Sequence, residues 1–247
     1  MTGAMTEFLP WDSSHFGFRI ARATARQLDG PAFQELEAEC RAQDIDCLYF
    51  LADAADQDTV SALQAAQFDF VDIRLTLAAA ADDITNAAPG PELQMRLAQE
   101  SDFEALLPVA GGSFTLSRFY ADRRFGADKA HLMYQIWLEK SLKTDFAAAV
   151  IVAEMAGRPV GFVTCHLQDP ADEANLGLVG VAPSVRGAGC ARGMVAYAAR
   201  HLSGQGIERL NVITQGSNIA AQRLYQGCGF LTRSVELWFH KWFKQPD

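Results

Sequence analysis

The chain has 247 residues, of which 49% are hydrophobic and 21% are charged, and it carries a formal net charge of −9. This composition is typical of a globular protein and excludes a wholly disordered one. The negative charge argues against nucleic acid or an anionic membrane as a general partner, although it permits a local basic pocket for phosphates.

Cysteine usage and the N-terminal residues favour a cytoplasmic location. The chain has five cysteines and no Cys-x-x-Cys pair, which argues against a disulfide framework and against a zinc or other metal site. We therefore expect buried thiols in a reducing compartment. Residues 1–7 lack a basic region followed by an apolar stretch, so they do not predict a secretory signal. No apolar run reaches the roughly 18 residues of a transmembrane helix.

In chain order, residues 1–82 predict an N-terminal β-α-β-α-β unit. Alternating or continuous apolar residues indicate strands, and apolar residues at helical spacing indicate helices. The predicted strands lie at residues 18–24, 46–51 and 70–77, and the predicted helices at 31–43 and 59–66. Residues 83–92 are small, polar and rich in Pro and Gly, so they predict a linker to a second domain at residues 93–247.

The second domain also mixes strands and helices. The predicted strands lie at 93–97, 147–155, 159–167, 175–182, 208–214 and 230–239, and the predicted helices at 101–109, 129–142, 190–203 and 219–227. Ser101 and Glu104 form a capping-box pattern at the first of these helices. Residues 111–126 predict a loop rich in aromatic residues and arginine. The apolar strand at 237–239 either pairs with a second chain in a homodimer or is internal.

A Gly-rich turn follows the strand at 175–182 and precedes a helix. It contains Arg186, Gly187, Gly189 and Arg192. A helix that begins in such a turn presents free backbone N–H groups and the positive end of its dipole, which favours a phosphate. The pattern is neither a P-loop nor the three-glycine dinucleotide fingerprint. The alternative is a plain connector between strand and helix.

A second motif begins about thirty residues later with Asn218 and Tyr225. Their spacing of seven residues makes nearly two helical turns, so both side chains project from one face of a helix. Asn supplies a hydrogen-bond donor and an acceptor, and Tyr supplies a phenolic proton. The alternative is a helix cap for Asn218 and simple packing for Tyr225.

These motifs together resemble the acetyl-CoA half of the GNAT acetyltransferases, from about residue 147 to the C-terminus. The resemblance rests on Arg186-x-x-Gly189-x-Ala191 after a strand, then on Asn218, Tyr225 and Gly229-Phe230 in that order. It implies an α/β fold with a mixed central sheet, to which the smaller N-terminal α/β unit is added. It also implies transfer of an acetyl group from acetyl-CoA to a primary amine.

The resemblance implies roles for individual residues. Tyr225 would be the general acid that protonates the departing thiolate, and Asn218 would bond the pantetheine or its thioester end. The pantetheine arm would pair with the backbone of Val179, Gly180 and Val181. The pyrophosphate would be held by Arg186, Gly187, Ala188, Gly189, Cys190, Ala191 and Arg192.

The catalytic base is unassigned. Many GNAT relatives carry Glu on the strand before the Asn, but this chain has Ile213. Glu173, His166 and Asp169 are candidates, and the alternatives are a bound water or an amine that arrives already neutral. No Cys or Ser has an evident partner base, so we expect no covalent acyl-enzyme.

Three further segments resemble the dTDP-fucosamine acetyltransferases, which N-acetylate a 4-amino-4,6-dideoxy nucleotide sugar for surface polysaccharide. The segments are residues 9–18, residues 113–122 and Tyr134-x-x-Trp137. The resemblance implies a nucleotide sugar as the acceptor. The diphosphate would need cations, for which the candidates are Arg118, Arg123 and Arg124. The base would need a flat surface, for which the candidates are Phe114, Phe119 and Tyr120.

Alternatives to this substrate and to this function stay open. The loop that contains Arg118 either contacts the substrate or only packs on the core. The acceptor is alternatively another small amine or a protein amine. From a different class of protein, the alternatives are a non-catalytic acyl-CoA sensor and a phosphate-binding regulatory domain without coenzyme A.

Overall fold

The computed structural model describes residues 4–84, 92–169 and 172–244. The strands within these ranges are β1 (Thr6–Phe8), β2 (Ile20–Ala23), β3 (Cys47–Asp53), β4 (Asp69–Ala80), β5 (Leu93–Leu97), β6 (Ala149–Met155), β7 (Arg158–Leu167), β8 (Glu173–Val181), β9 (Arg209–Gln215) and β10 (Leu231–Trp242). The helices are α1 (Pro10–Phe16), α2 (Gly30–Ala42), α3 (Gln57–Ala65), α4 (Phe103–Ser113), α5 (Arg118–Ala121), α6 (Ala127–Lys143), α7 (Cys190–Ser203) and α8 (Ile219–Gln226). In these ranges no helix combines the length and the apolar character needed to cross a membrane.

The chain forms two compact units, and neither is a continuous stretch of sequence. Unit 1 comprises Met1–Arg74, Ser117–Lys129 and Val235–Asp247, and unit 2 comprises Leu75–Leu116 and Ala130–Ser234. This division differs from the predicted consecutive domains, because later segments return to unit 1. Most of the predicted linker at 83–92 lies outside the described residues.

Unit 1 is a small α/β layer. Its strand order is β1-β2-β3-β10, in which β2 and β3 are parallel and the other two pairs are antiparallel. Helix α2 buries Phe33, Leu36 and Cys40 against one face of this sheet. This is the face that the helical spacing predicts, and it covers the apolar side of β3, including Phe50.

The C-terminal strand is internal to unit 1. Trp238 of β10 pairs with Leu51 of β3, and β10 has β3 on one side and β4 on the other. Of the two sequence-based alternatives, the internal one is therefore correct. The segment at 237–239 offers no free strand edge through which two chains would pair.

Unit 2 contains a mixed sheet in the order β4-β9-β8-β7-β6-β5. The pairs from β5 to β8 are antiparallel, whereas β8 and β9 are parallel. Helix α7 packs on this sheet through an apolar face that includes Met194, Val195 and Leu202, all fully buried. The predicted bounds of α7 are confirmed without change.

The parallel strands β8 and β9 pair along only part of their length. The register runs from Glu173 with Arg209 to Leu176 with Val212, and both strands continue beyond that point. Strand β8 also has a register irregularity against β7 between Val163 and Cys165. The unpaired ends of β8 and β9 bound the cavities described below, so this opening in the sheet positions the site.

The secondary structure differs from the prediction in three places. At the N-terminus, β1 and α1 precede the first predicted strand at 18–24, so unit 1 contains two elements that the sequence did not predict. Helix α4 begins after a 3₁₀ turn at Glu100–Asp102, and the capping box is formed by Gln99 and Asp102 rather than by Ser101. Helix α4 then continues through Gly111, where the sequence predicts a loop. A Cβ on Gly111 would lie 2.1 Å from Cε1 of His131, so this glycine permits close packing of α4 on α6. The predicted loop also contains α5.

Candidate active site

Two adjoining cavities lie in unit 2, beyond the paired part of β8 and β9. The loop cavity, of ≈ 860 Å³, is bounded by the Gly-rich turn at 186–189 and the start of α7. The aromatic cavity, of ≈ 530 Å³, is bounded by side chains of α6, β7 and β9. Both cavities are lined by Ser113, Val179, Asn218, Ala221 and Tyr225. A ligand in one cavity would therefore meet a ligand in the other at these residues.

The loop cavity has the features that a pyrophosphate requires. Gly187 and Gly189 adopt φ of +83° and +79°, and no heavy atom lies within 4 Å of a Cβ built on either residue. Helix α7 has no side-chain cap at its N-terminus, so its first N–H groups are open to an anion. Arg186 and Arg192 also line this cavity and add positive charge.

Most of the predicted cofactor residues line the loop cavity, but Gly180 and Ala188 do not. A Cβ on Gly180 would lie 2.8 Å from Cε1 of Phe162, so the Cβ position of Gly180 points toward Phe162 and away from the cavity. Gly180 could contribute to a cofactor site only through its backbone. The N–H of Ala188 donates to the carbonyl of Val185 at 3.3 Å. That amide is used within the turn, so the structure does not present it to the loop cavity, and the pyrophosphate role of Ala188 stays a prediction.

Asn218 caps helix α8 and also lines both cavities. Its Oδ1 accepts from the N–H of Ala221 at 3.1 Å, which leaves the Nδ2 donor outside this cap. The capping role and the ligand role, which the sequence presents as alternatives, are thus compatible. Cys190 contributes its backbone, since its side chain is 2% exposed and burial raises the pKa of its thiol to about 11.

Tyr225 lies where the two cavities meet. Its side chain is 4% exposed, and its ring contacts Phe230 with the ring centroids 5.8 Å apart. Burial raises the pKa of the phenol well above its ordinary value, with a smaller contribution from nearby Cys228. The phenol is therefore protonated at neutral pH and can donate a proton to a group in either cavity.

Of the three candidate bases, only His166 lines the aromatic cavity. Its Nδ1 donates to the carbonyl of Phe146 at 2.9 Å, because a carbonyl oxygen can only accept. Its Nε2 therefore accepts from the hydroxyl of Thr164 at 3.0 Å. The Thr164 oxygen in turn accepts from the N–H of Leu178 at 2.9 Å. Both ring nitrogens are engaged, and burial lowers the pKa of this imidazole.

The two carboxylate candidates lie outside both cavities. Glu173 pairs with Arg233 at 3.1 Å and with Arg209 at 3.3 Å, and it accepts from Asn211 at 2.7 Å. The hydrogen bond from Asn211 is the main cause that lowers the pKa of Glu173. Asp169 is exposed and lines neither cavity. Neither carboxylate is positioned to take a proton from an amine at Tyr225.

A wall of rings forms one side of the aromatic cavity. Phe114 stacks on Tyr134 with centroids 4.6 Å apart, and Tyr134 contacts Trp137 edge-on at 5.5 Å. Phe146 and His166 form a second edge-on pair at 5.3 Å. The sequence marked Phe114 as a substrate residue but missed the rest of this wall. The i, i+3 spacing of Tyr134 and Trp137 is the signal that both face one side of α6.

Arg118 and Phe119 lie in unit 1 and line neither cavity. Phe119 is 6% exposed and packs against Phe16, so the structure does not bring its ring to either cavity, and its stacking on a nucleotide base stays a prediction. The guanidinium of Arg118 lies 4.1 Å from the ring centroid of Tyr49 and 4.5 Å from that of Trp238. It also donates to Nε2 of His240.

Residues 115–230 match the model of the acetyltransferase (GNAT) family. This match spans just under half of the chain, so the segment is similar to a family whose members use acetyl-CoA, and the predicted fold class is confirmed. A solved GCN5-related N-acetyltransferase from Sphaerobacter thermophilus superposes with a TM-score of 0.68 at 15% identity. That match covers 98% of this chain and 76% of the other, and it shows likeness of fold alone.

Two curated relatives share more of the sequence. The spore coat polysaccharide biosynthesis protein SpsD of Bacillus subtilis is 30% identical over 152 residues, which cover 62% of this chain and 52% of SpsD. The dTDP-fucosamine acetyltransferase of Escherichia coli is 26% identical over 189 residues, which cover 76% of this chain and 78% of that protein. The chain thus spans about half the length of SpsD.

Proposed function

We propose that this protein is an N-acetyltransferase that moves the acetyl group of acetyl-CoA directly to a primary amine. The observation that carries the proposal is the buried phenol of Tyr225 at the junction of the two cavities. In the proposed reaction the amine nitrogen bonds to the thioester carbon and the C–S bond breaks. The sulfur then takes the proton of Tyr225.

The loop cavity would hold coenzyme A. The open N–H groups at the start of α7 and the side chains of Arg186 and Arg192 would bind its pyrophosphate. The pantetheine arm would enter the opening between β8 and β9 and pair with the backbone of Val179 and Val181. Asn218 would then donate to the arm near the thioester.

The aromatic cavity would hold the amino-sugar ring of the acceptor, for which we propose a dTDP-4-amino-4,6-dideoxy sugar whose diphosphate would lie outside this uncharged cavity. Support comes from the relatives named for dTDP-fucosamine acetylation and for polysaccharide biosynthesis. Aromatic rings and uncharged hydrogen-bonding groups suit a sugar ring. We place the reaction in the cytoplasm, where the five free cysteines would stay reduced.

The test of the general-acid role is Tyr225→Phe. We expect kcat to fall by about 10²-fold or more, the usual contribution of a positioned proton donor, while the Kd of coenzyme A stays within about twofold. Tyr197→Phe is the matched control, because Tyr197 lies on α7 outside both cavities. Equal kcat for Tyr225→Phe and the unmodified protein would remove the acid role.

The test of the acceptor is thiol release from acetyl-CoA with a panel of amines. The panel contains dTDP-4-amino-4,6-dideoxygalactose, a lysine peptide, spermidine and an aminoglycoside. We expect selective turnover of the nucleotide sugar. Turnover of another amine alone would replace the acceptor, and coenzyme A binding without any turnover would favour the sensor.

A further inference from the structure

Uncharged side chains line the aromatic cavity. Among the residues that the structure describes, its lining contributes no carboxylate, ammonium or guanidinium group, and its titratable side chains are Tyr134, His166 and Tyr225. The polar groups are uncharged: Ser113, Ser141, Gln168, Asn175, Thr214, Gln215 and Asn218. An ammonium ion that entered this cavity would meet no counter-charge on the described lining residues.

His166 does not serve as a free base in this cavity. Its ring is held at both nitrogens by Phe146 and Thr164. The ring also lies against β8, because a Cβ on Gly177 would come within 2.7 Å of Nε2 of His166. The basic nitrogen is thus turned toward the β7–β8 contact. Glu173, the nearest candidate on β8, is engaged by two arginines.

The free energies of burial and of aromatic contact favour an acceptor that binds uncharged. Burying an ammonium without a partner costs several kcal/mol, whereas contact with aromatic faces returns only about 0.5–2 kcal/mol. A lysine-like amine has a pKa near 10.4, so roughly one molecule in 2,500 is neutral at pH 7. An amine with a pKa near that of an α-amino group is neutral in roughly one molecule in ten.

We propose that the aromatic cavity accepts its amine only as the uncharged free base and so selects weakly basic amines on neutral, hydroxylated rings. This inference rests on the proposed acetyl transfer and narrows its substrate class. It disfavours lysine side chains and polyamines. The ring wall of Phe114, Tyr134 and Trp137 would contact one face of the sugar. The hydroxyl of Thr214 is buried and has no hydrogen-bond partner within residues 4–84, 92–169 and 172–244, and it would bond a ring substituent or a water.

The proton balance closes without a separate base. The free amine carries the proton that the reaction finally places on sulfur. Tyr225 gives its proton to the thiolate as the C–S bond breaks. The resulting phenolate takes a proton from the nitrogen that has just been acylated. One side chain at the junction of the two cavities therefore serves both ligands.

The test is the pH dependence of kcat/KM for two amino sugars that differ in amine basicity. The pair is dTDP-4-amino-4,6-dideoxygalactose and its analogue with fluorine on the neighbouring carbon, with both amine pKa values determined by titration. We expect kcat/KM to rise about tenfold per pH unit up to the amine pKa. The end of this rise shifts between the two substrates by the difference in their pKa values. A rise that ends at the same pH for both substrates would overturn the proposal, because it would report a base on the protein.

Variants and calorimetry separate this inference from the proposed function. His166→Gln should lower kcat/KM without changing the pH at which the rise in kcat/KM ends. Loss of the pH-dependent rise in this variant would identify His166 as the base. Calorimetry of each amino sugar with the coenzyme A complex, in two buffers below the amine pKa, should show release of nearly one proton per amine bound. Binding with no proton release would overturn the inference even where no turnover occurs. Failure to acetylate the nucleotide sugar, with proton release intact for another amine, would remove only the proposed acceptor.

Discussion

At the scale of single residues, Gly177 shows how closely β8 is fitted to the site. A Cβ at this position would lie 2.7 Å from both Nε2 of His166 and Oγ1 of Thr164. Thr164 is fully buried and accepts from the N–H of Leu178, so it has little room to move. A glycine is needed here because a side chain would clash with its neighbours. The backbone conformation does not require one, since Gly177 is not among the residues with positive φ.

Gly177→Ala should therefore destabilise the protein by about 1–3 kcal/mol, as overpacking does, and should raise the acceptor KM while leaving coenzyme A affinity unchanged. Thermal unfolding and steady-state kinetics measure both effects. Gly204→Ala is the control, because its Cβ would meet no atom closer than 3.4 Å. Similar Tm and KM for the two variants would contradict this account.

Sequence reasoning found some of these residues and missed others for a physical reason. Asn218 and Tyr225 carry their signal in local spacing along one helix, and both line the cavities. The burial of Phe119 and the hydrogen bonds of His166 were not predictable, because burial and partners depend on contacts far apart in sequence. Nothing in the residues around Phe119 distinguishes a ring exposed to a ligand from one packed on Phe16.

At the scale of elements, the start of α7 combines an uncapped helix terminus with two glycines of positive φ. Gly189 and Gly206 have nearly the same backbone, with φ of +79° and +89°, and space around both for a Cβ. Only Gly189 lines the loop cavity. Substituting each of these two glycines therefore distinguishes the effect of backbone strain, which both variants share, from the effect on the loop cavity, which only Gly189 lines.

Gly189→Ala and Gly206→Ala should each cost about 1–2 kcal/mol of stability, the penalty of a left-handed conformation for a residue with a Cβ. Only Gly189→Ala should also weaken coenzyme A binding, by roughly tenfold or about 1.4 kcal/mol. Unfolding in urea and titration calorimetry test the two parts. Equal coenzyme A affinity in both variants would show that the loop does not hold the cofactor.

The boundaries of a helix were predictable where its apolar periodicity was long and turn-forming residues marked both ends. Helix α7 satisfies this, since the turn glycines precede it and its apolar face repeats over its whole length. Helix α4 does not, because Pro108 and Gly111 are ordinarily helix-breaking signals. There, packing against His131 of α6 outweighs local propensity.

At the scale of the whole molecule, the division into units was not predictable from composition. The low-complexity residues around 83–92 suggested a boundary, but Leu77, Ala79 and Ala81 before it belong to the core of unit 2. Contacts distant in sequence decide the membership of residues 117–129 and of the C-terminal segment. No local pattern encodes such contacts.

A fragment of residues 93–247 should therefore fold poorly. It lacks Leu77 and Ile84, which are 1% and 6% exposed in the core of unit 2. Losing each such side chain costs about 2–5 kcal/mol, which is comparable in total with the stability of a typical domain. A fragment of residues 75–247 retains both side chains and should keep more of its cooperative thermal transition. Equal transitions for the two fragments would contradict the observed division.

Apart from the five residues that line both, the two cavities draw most of their walls from different parts of the chain, and this has an evolutionary consequence. The loop cavity depends on residues 179–192, whereas the ring wall comes from Phe114 and α6. Substitutions at Tyr134 or Trp137 can reshape the acceptor side without altering the turn at Gly187 and Gly189. If the loop cavity holds the donor as proposed, the donor side can stay unchanged while α6 is the surface on which new acceptor preferences arise.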